Sequence, residues 1–346
     1  MSKVKAKKSK SVFKKILITI LCIFLSLCVI AVGIFSYTAI FKTKYETAEN
    51  TVQKVLQITD VHILNNEKKD AKAFKTIRLM IEKTNPDIIM VTGDVTSEKD
   101  NLTAIKTFGT FIEQFNIPWG FTYGNHDAEG DAKKDEIDEY LLSLDNCFYE
   151  RGDPAVDGHG NYYRNVTDKN GKVIMSLIMM DSNMYNADEA LGGYDFIHEN
   201  QIEWYKNTVK SIAKDVNGDE SKVVPSLCFF HIPMQEYKTA YDGGGKLISG
   251  KRFETEMSSK TPDNMFETMK ELGSTKGVFV GHDHMNDYMV EYEGIRLCYA
   301  KSSDHNIYVV PLRGGTLINI KDDGSFTTQT LFRHRGTGFI CVGKEK

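Results

Sequence analysis

Beyond residue 42 the apolar positions fall into short buried runs, each closed by a polar fragment. Residues 55–59 (VLQIT) read as a strand and lead into Asp60-Val61-His62. Residues 70–83 carry Ala73, Ile77, Met80 and Ile81 at helical spacing. Asn85-Pro86 ends that helix, because the residue before a proline is pushed out of the α region. A second strand, 87–92, ends in Gly93-Asp94. A second helix, 102–115, turns Ile105, Phe108, Phe111, Ile112 and Phe115 inward. A third strand, 119–123, ends in Gly124-Asn125-His126-Asp127 and is followed by a helix over 131–144. Strand–helix alternation of this kind predicts a parallel α/β sheet, in which ligands gather at the carboxyl ends of the strands. Any one polar fragment reads equally well as a turn or a helix cap, but three in succession at equivalent places do not.

The middle of the chain is richer in strands. Residues 162–166 and 173–180 flank Asp168-Lys169-Asn170-Gly171, a hairpin turn signal, and the second run ends in Asp181-Ser182-Asn183. A helix over 199–212 bears Trp204 and Val209. The apolar run 226–230 ends in His231-Ile232-Pro233. Residues 237–252 are polar and hold Gly243-Gly244-Gly245, which predicts a surface loop or lid; Tyr241 and the glycines either line the substrate entrance or belong to a plain solvated loop. A short helix over 264–272 leads to a strand, 276–280, and then to Gly281-His282-Asp283-His284. Four further strands follow, at 288–292, 295–299, 316–320 and 326–332. No internal repeat interrupts this pattern.

The amino-terminal region follows different rules. Residues 16–41 hold no charge over 26 positions, and about 20 apolar residues suffice to cross a bilayer as a helix. Seven lysines precede this run and two follow closely, which places the amino terminus in the cytoplasm. The expected organisation is a basic cytoplasmic tail (1–15), a transmembrane signal anchor (16–41), a linker (42–52) and one extracellular catalytic domain (53–340). The anchor would hold the protein in the cell membrane as a single-pass chain. Of 43 basic residues nine lie before Tyr45, leaving 34 against 47 acidic ones, and so acidic a body is not expected to hold nucleic acid as a stable partner. The six cysteines show no C-x-x-C spacing and read as free thiols.

Collected from the strand ends, Asp60, His62, Asp94, Asn125, His126, His231, His282 and His284 form a set of nitrogen and oxygen donors without a thiolate. Hard or borderline divalent metals suit such donors. One four-coordinate zinc would need only three or four of them, so the set is large enough for two ions sharing a carboxylate. His159, His198, His305 and His334 lack ligand-like context, although His305 could reach the site, and Asp181 reads as a loop-fixing residue.

Asp60-x-His62, Gly93-Asp94, Gly124-Asn125-His126-Asp127, His231 and Gly281-His282-x-His284, in this order, resemble the calcineurin-like metallophosphoesterases. Tyr194-Asp195, Gln201-x-x-Trp204-Tyr205 and Asn286-Asp287-Tyr288 are similar to the single-domain branch near the purple acid phosphatases. The resemblance implies a four-layer α/β/β/α sandwich of two mixed sheets. It further implies that Asp60, His62 and His284 bind one metal, that Asn125, His231 and His282 bind a second, and that Asp94 bridges them. Asn125 and His126 would also contact substrate. His126 would donate to the phosphate or leaving oxygen, with Asp127 orienting it. Where purple acid phosphatases have a tyrosine ligand this chain reads Val95-Thr96-Ser97-Glu98, so Mn²⁺, Fe²⁺ or Zn²⁺ is expected in place of an iron(III)–tyrosinate centre. The implied reaction is hydrolysis of a phosphate monoester by a metal-bridging hydroxide; a phosphodiesterase with the same metals and a non-catalytic binding module are the rivals.

Overall fold

The computed structural model describes residues 41–42, 47–188, 192–307, 312–333 and 340–343. The expected basic tail and all of the expected membrane anchor but Phe41 lie outside the described residues. Among the described residues no helix is long and apolar enough to cross a membrane. The chain divides into two units, Met1–Thr43 and Lys44–Lys346. In the first only the two-residue strand Phe41–Lys42 is described; everything below concerns the second.

The second unit opens with β1 (Thr51–Ile58), α1 (Glu67–Thr84), β2 (Ile88–Thr92), α2 (Asn101–Glu113), β3 (Trp119–Thr122) and α3 (Lys134–Leu142). The hairpin β4 (Tyr162–Thr167) and β5 (Val173–Met179) follows, then α4 (Glu199–Asn217), β6 (Ser226–Phe229) and the single turn α5 (Glu236–Thr239). Next come β7 (Lys246–Ser249), α6 (Met265–Leu272), β8 (Thr275–Val280), β9 (Met289–Tyr292) and β10 (Ile295–Tyr299). The unit closes with β11 (Gly314–Lys321), β12 (Phe326–Arg333) and β13 (Ile340–Gly343). One sheet takes the order β13-β12-β11-β1-β2-β3, and the other β4-β5-β6-β8-β10-β9-β7. Both are mixed: β1, β2 and β3 are parallel while β11 runs antiparallel to β1; β5, β6, β8 and β10 are parallel while β4, β7 and β9 run against their neighbours. This is the α/β arrangement of two mixed sheets that was expected.

Alternation explains the packing. On β5, Leu177 and Met179 join the cluster that contains Leu56, Ile58, Met90 and Phe121 of the first sheet. Ile178 and the following Met180 point the other way, into a second cluster with Ile202, Tyr205 and Val209 of α4 and Phe266 and Met269 of α6. The second sheet is therefore buried on both faces, which is why its strands read as unbroken apolar runs. Phe229 and Phe279 stack 5.1 Å apart in the first cluster.

Local chemistry set the element bounds that periodicity placed only roughly. Helix α1 starts earlier than its apolar face because the Asn66 side chain accepts from the Lys69 amide, and it ends at Asn85 in the left-handed conformation. Helix α4 runs past its last buried residue, Ala213, until Gly218, with φ of 69°, stops it. The segment 237–252 does lie at the surface, but it is not a plain loop: helical turns lead into an edge strand, Lys246–Ser249, of the second sheet. Strand β7 pairs antiparallel with β9, and Tyr237 is fully buried with its hydroxyl donating to the Val278 carbonyl at 3.0 Å. Tyr241 packs on Tyr288 and under the Arg252 guanidinium instead of lining an entrance. Among the described cysteines, Cys147, Cys228 and Cys298 are free thiols, the last two buried.

The edges of the two sheets are joined by one side chain. The Tyr162 hydroxyl, at the start of edge strand β4, donates to the Phe121 carbonyl and accepts from the Phe121 amide, both at 2.9 Å. It thereby satisfies the exposed backbone of edge strand β3, where unpaired groups would otherwise be buried. Tyr162→Phe should leave both groups unsatisfied and cost roughly 2–4 kcal/mol. Urea unfolding checks this; a change too small to move the midpoint would show that the bridge does not hold the sheets.

Candidate metal centre

The parallel strands all end on one edge, and there the chain makes a series of tight loops. After Ile58 the backbone leaves the β1 ladder but stays tied to the β2 loop. The Asp60 amide donates to the Gly93 carbonyl at 3.1 Å, and the Val61 and His62 amides donate to the Asp94 carbonyl at 2.9 and 3.2 Å. Asp60, His62, Asp94 and His282 have φ of 50°, 49°, 53° and 75°. Four side chains of the predicted ligand set thus sit on left-handed backbone, a conformation that costs a non-glycine residue about 1–3 kcal/mol and concentrates at functional sites. Glycine admits the close approach. A Cβ on Gly281 would lie 2.0 Å from Thr59 Oγ1, and one on Gly124 would lie 2.2 Å from Asp94 Oδ1.

These loops bring six of the predicted ligands into two groups of potential metal donors. Asp60, His62, Asp94 and His284 form one, and Asp94, His231 and His282 the other, each with its donor atoms within 4.8 Å of one another. Asp94 belongs to both. Its Oδ2 lies 3.1 Å from His231 Nε2 and 3.9 Å from His62 Nε2, while its Oδ1 accepts from the His126 amide at 2.9 Å. Asp60 Oδ1 lies 3.4 Å from His284 Nε2. His62 Nε2 and His284 Nε2 are 3.1 Å apart, and His282 Nδ1 and His231 Nε2 3.3 Å. Nitrogens so close tolerate each other best when a cation stands among them. Asn125 is fully buried and its Oδ1 has no hydrogen-bond partner; the same holds for His62 Nδ1 and His282 Nε2. A buried polar atom without a partner carries a desolvation cost that coordination or substrate can remove. The donors present therefore fit two divalent cations, with Asn125 an additional oxygen donor.

The electrostatics of the cluster are those of a site built around charge. Burial pushes Asp94 up, but the neighbouring His231, His62 and His126 outweigh it and hold the carboxyl well below its usual range. Burial raises Asp60, opposed by His284 and His231. Burial drives His62 down to about 3 and His282 well below its usual value. Burial also opposes protonation of His231 and His284, but Asp94 carries His231 up to about 10 and Asp60 raises His284. All four imidazoles must be neutral to coordinate, and the acidic partners that raise His231 and His284 are the same groups that would attract a cation to the cluster. His231 donates Nδ1–H to the Thr92 carbonyl at 2.8 Å, which leaves Nε2 toward the cluster.

Asp127 does not orient His126. Its carboxylate is fully buried and accepts from the amides of Asp94, Val95 and Gly124 at 2.9, 2.8 and 2.8 Å. Burial and the Asp94 charge push it up to about 7 against those amides. Its work is to fasten the β2 loop to the β3 loop; an aspartate is too short to do this and also reach the imidazole. The group on His126 Nδ1 is Glu129, at 2.5 Å. His126 stands edge-on to His62 with ring centroids 5.7 Å apart, so the ring does flank the donor groups.

The remaining residues sort clearly. Asp181 fixes loops as expected, accepting from the Lys134 ammonium and the His159 amide. His305 points away to Thr76 Oγ1 at 2.8 Å. His198 lies between Asp157 and Asp195. Asp135, Asp138 and His159 form a further cluster, but Asp138 is already saturated by Arg151, His159, Tyr123 and Tyr149. Sequence reasoning missed Asp304, whose carboxylate lies 3.7 Å from His284 Nδ1 and adds to the negative charge that raises this imidazole. It also missed Glu129 and the aromatic pair Tyr185–Tyr194, whose rings stack 5.7 Å apart, with Tyr194 edge-on to His282 at 4.2 Å. Only the three-residue spacing of Glu129 from His126 in a polar turn could have signalled any of these.

Residues 53–286 match the family model described as calcineurin-like phosphoesterase. A probable inactive purple acid phosphatase 29 of Arabidopsis thaliana is 27% identical over 296 residues, covering 77% of this chain and 76% of the relative. A probable inactive purple acid phosphatase 14 of the same plant is 28% identical over 288 residues, covering 74% and 71%. Among solved structures, a dimetal phosphatase from Danio rerio superposes with a TM-score of 0.54 at 10% identity, covering 86% of this chain and all of the other, a likeness of fold.

Asp94→Ala should abolish binding at both donor groups, whereas His284→Ala should weaken only one. Elemental analysis after metal loading and gel filtration checks this, and full metal content in the Asp94 variant would rule out a shared ligand.

Proposed function

The chain belongs to the calcineurin-like phosphoesterase family, and from that premise we propose that it hydrolyses a phosphate monoester with two divalent metal ions. The carrying observation is that two groups of buried donors share the single carboxylate of Asp94. Asp60, His62 and His284 would hold one ion, Asn125, His231 and His282 the other, with Mn²⁺, Fe²⁺ or Zn²⁺ suited to the donor types. Bound there, such ions neutralise phosphoryl oxygens and lower the pKa of water toward neutrality. The chain's own residues do the rest. Asp127 keeps the β2 and β3 loops in register. Asn125 and His126, side by side after β3, face the ester. His126 meets the negative charge that grows on the leaving oxygen, an effect worth a few kcal/mol in comparable sites.

One observation favours a second reading, a binding module without turnover: the Arabidopsis relatives are described as probable inactive. The intact donor set of this chain speaks for catalysis. We also propose that residues 16–41 anchor the protein in the cell membrane with the catalytic unit outside, on the strength of 26 uncharged positions behind seven lysines.

Nitrophenyl phosphate should be hydrolysed faster than bis-nitrophenyl phosphate, lose its turnover to chelator and regain it with Mn²⁺. Faster diester cleavage would make the protein a phosphodiesterase, and no turnover of either would leave the binding module. On an ester with a poor leaving group, such as glycerol phosphate, His126→Ala should lower kcat by about 100-fold with metal content unchanged. Protease added to intact cells should release the catalytic unit; full protection would refute the outward orientation.

A further inference from the structure

The Glu129 carboxylate accepts two hydrogen bonds, from His126 Nδ1 at 2.5 Å and from the Tyr185 hydroxyl at 2.5 Å. A carboxylate offers only acceptors, so the proton in the first bond belongs to the imidazole. The Tyr185 hydroxyl in turn accepts from Asn125 Nδ2 at 3.3 Å. A closed circuit results: Asn125, His126 and Glu129 come from the loop after β3, and Tyr185 from the segment after β5. His126 and Glu129 are each about one-third exposed, and Tyr185 is 44% exposed, so the circuit borders solvent beside the donor groups. Exposed hydrogen bonds of this kind add little to stability. The geometry makes better sense as aim. With Nδ1 tied to Glu129, the opposite nitrogen of the ring, Nε2, is the one presented to a substrate. The same hydrogen bond from Tyr185 limits which way Glu129 can turn.

We propose that Glu129 and Tyr185 are positioning residues that fix His126 so that Nε2–H meets the leaving oxygen of the phosphoester. The inference rests on the hydrolytic reading above. With Nδ1–H committed to Glu129, the ring acts on the leaving oxygen through a proton at Nε2. As the phosphorus–oxygen bond breaks, its electron pair stays on the departing oxygen, which takes the Nε2 proton. The ring is left neutral with its Nδ1 proton still on Glu129, and the carboxylate is unchanged. Tyr185 acts through Glu129, and Asn125 links the pair to the metal side.

The role has a signature that a merely structural one lacks. Glu129→Ala should lower kcat by about 10- to 100-fold for glycerol phosphate, a poor leaving group, and by under about 3-fold for nitrophenyl phosphate, whose leaving oxygen needs little help. KM and metal content should stay close to those of the parent. Glu129→Gln, which can still accept from Nδ1–H, should recover part of the loss, and Tyr185→Phe should give a smaller loss of the same kind. In a His126→Ala background Glu129→Ala should cost nothing further. Nitrogen NMR of the metal-free protein should show Nδ1 of His126 protonated, with that preference lost in Glu129→Ala. Equal losses on both substrates, additive losses in the double variant, or a ring protonated only at Nε2 would each overturn the assignment. A parent protein that turns over neither ester would overturn the hydrolytic reading itself, and this inference with it.

Discussion

The structure depends on holding buried negative charge where strands end. Asp60 and Asp94 are both almost completely removed from water, within a few ångströms of each other's partners. An isolated carboxylate in that position would be too costly to keep ionised. The imidazoles that offset it arrive from both sheets: His62 follows β1, while His231, His282 and His284 follow β6 and β8. The fold can be understood as the scaffold that lets these distant segments meet. Parallel strands put all their carboxyl ends on one edge, and the apolar clusters behind them keep the two sheets aligned.

That arrangement explains why the loops are so tightly cross-linked. Asp127 spends its whole carboxylate on backbone amides, and Ser302 and Asn306 clamp the carbonyls of Asp60 and His62. None of these contacts touches a substrate. They determine where the donors stand, and a binding set displaced by even an ångström loses much of its effect.

Much of this was legible in the sequence. The strand ends stood out because each apolar run stops abruptly at a polar fragment, and six of the predicted metal-binding side chains do converge. Helix bounds were less legible, because a cap such as Asn66 or Gly218 decides them and the apolar face does not. The segment 237–252 was misjudged for a clearer reason. Its glycines signalled a loop, yet Lys246–Ser249 finds a free edge on β9, a tertiary pairing that local composition cannot announce. Asp127 was given the place that Glu129 fills on similar grounds. Adjacency in sequence pointed to Asp127, but after a tight turn the third residue along is the one that returns to the ring.

The left-handed backbone at Asp60, His62, Asp94 and His282 also shapes how such a protein could age once its chemistry no longer mattered. Alanine and, above all, β-branched residues such as valine are poorly suited to a positive φ. Glycine and asparagine would be the easy exits, since they relieve the backbone and keep the contour of the loops. A descendant released from its task would therefore be expected to keep the outline of these loops long after losing their function, and its history would be written in which residues replaced the four.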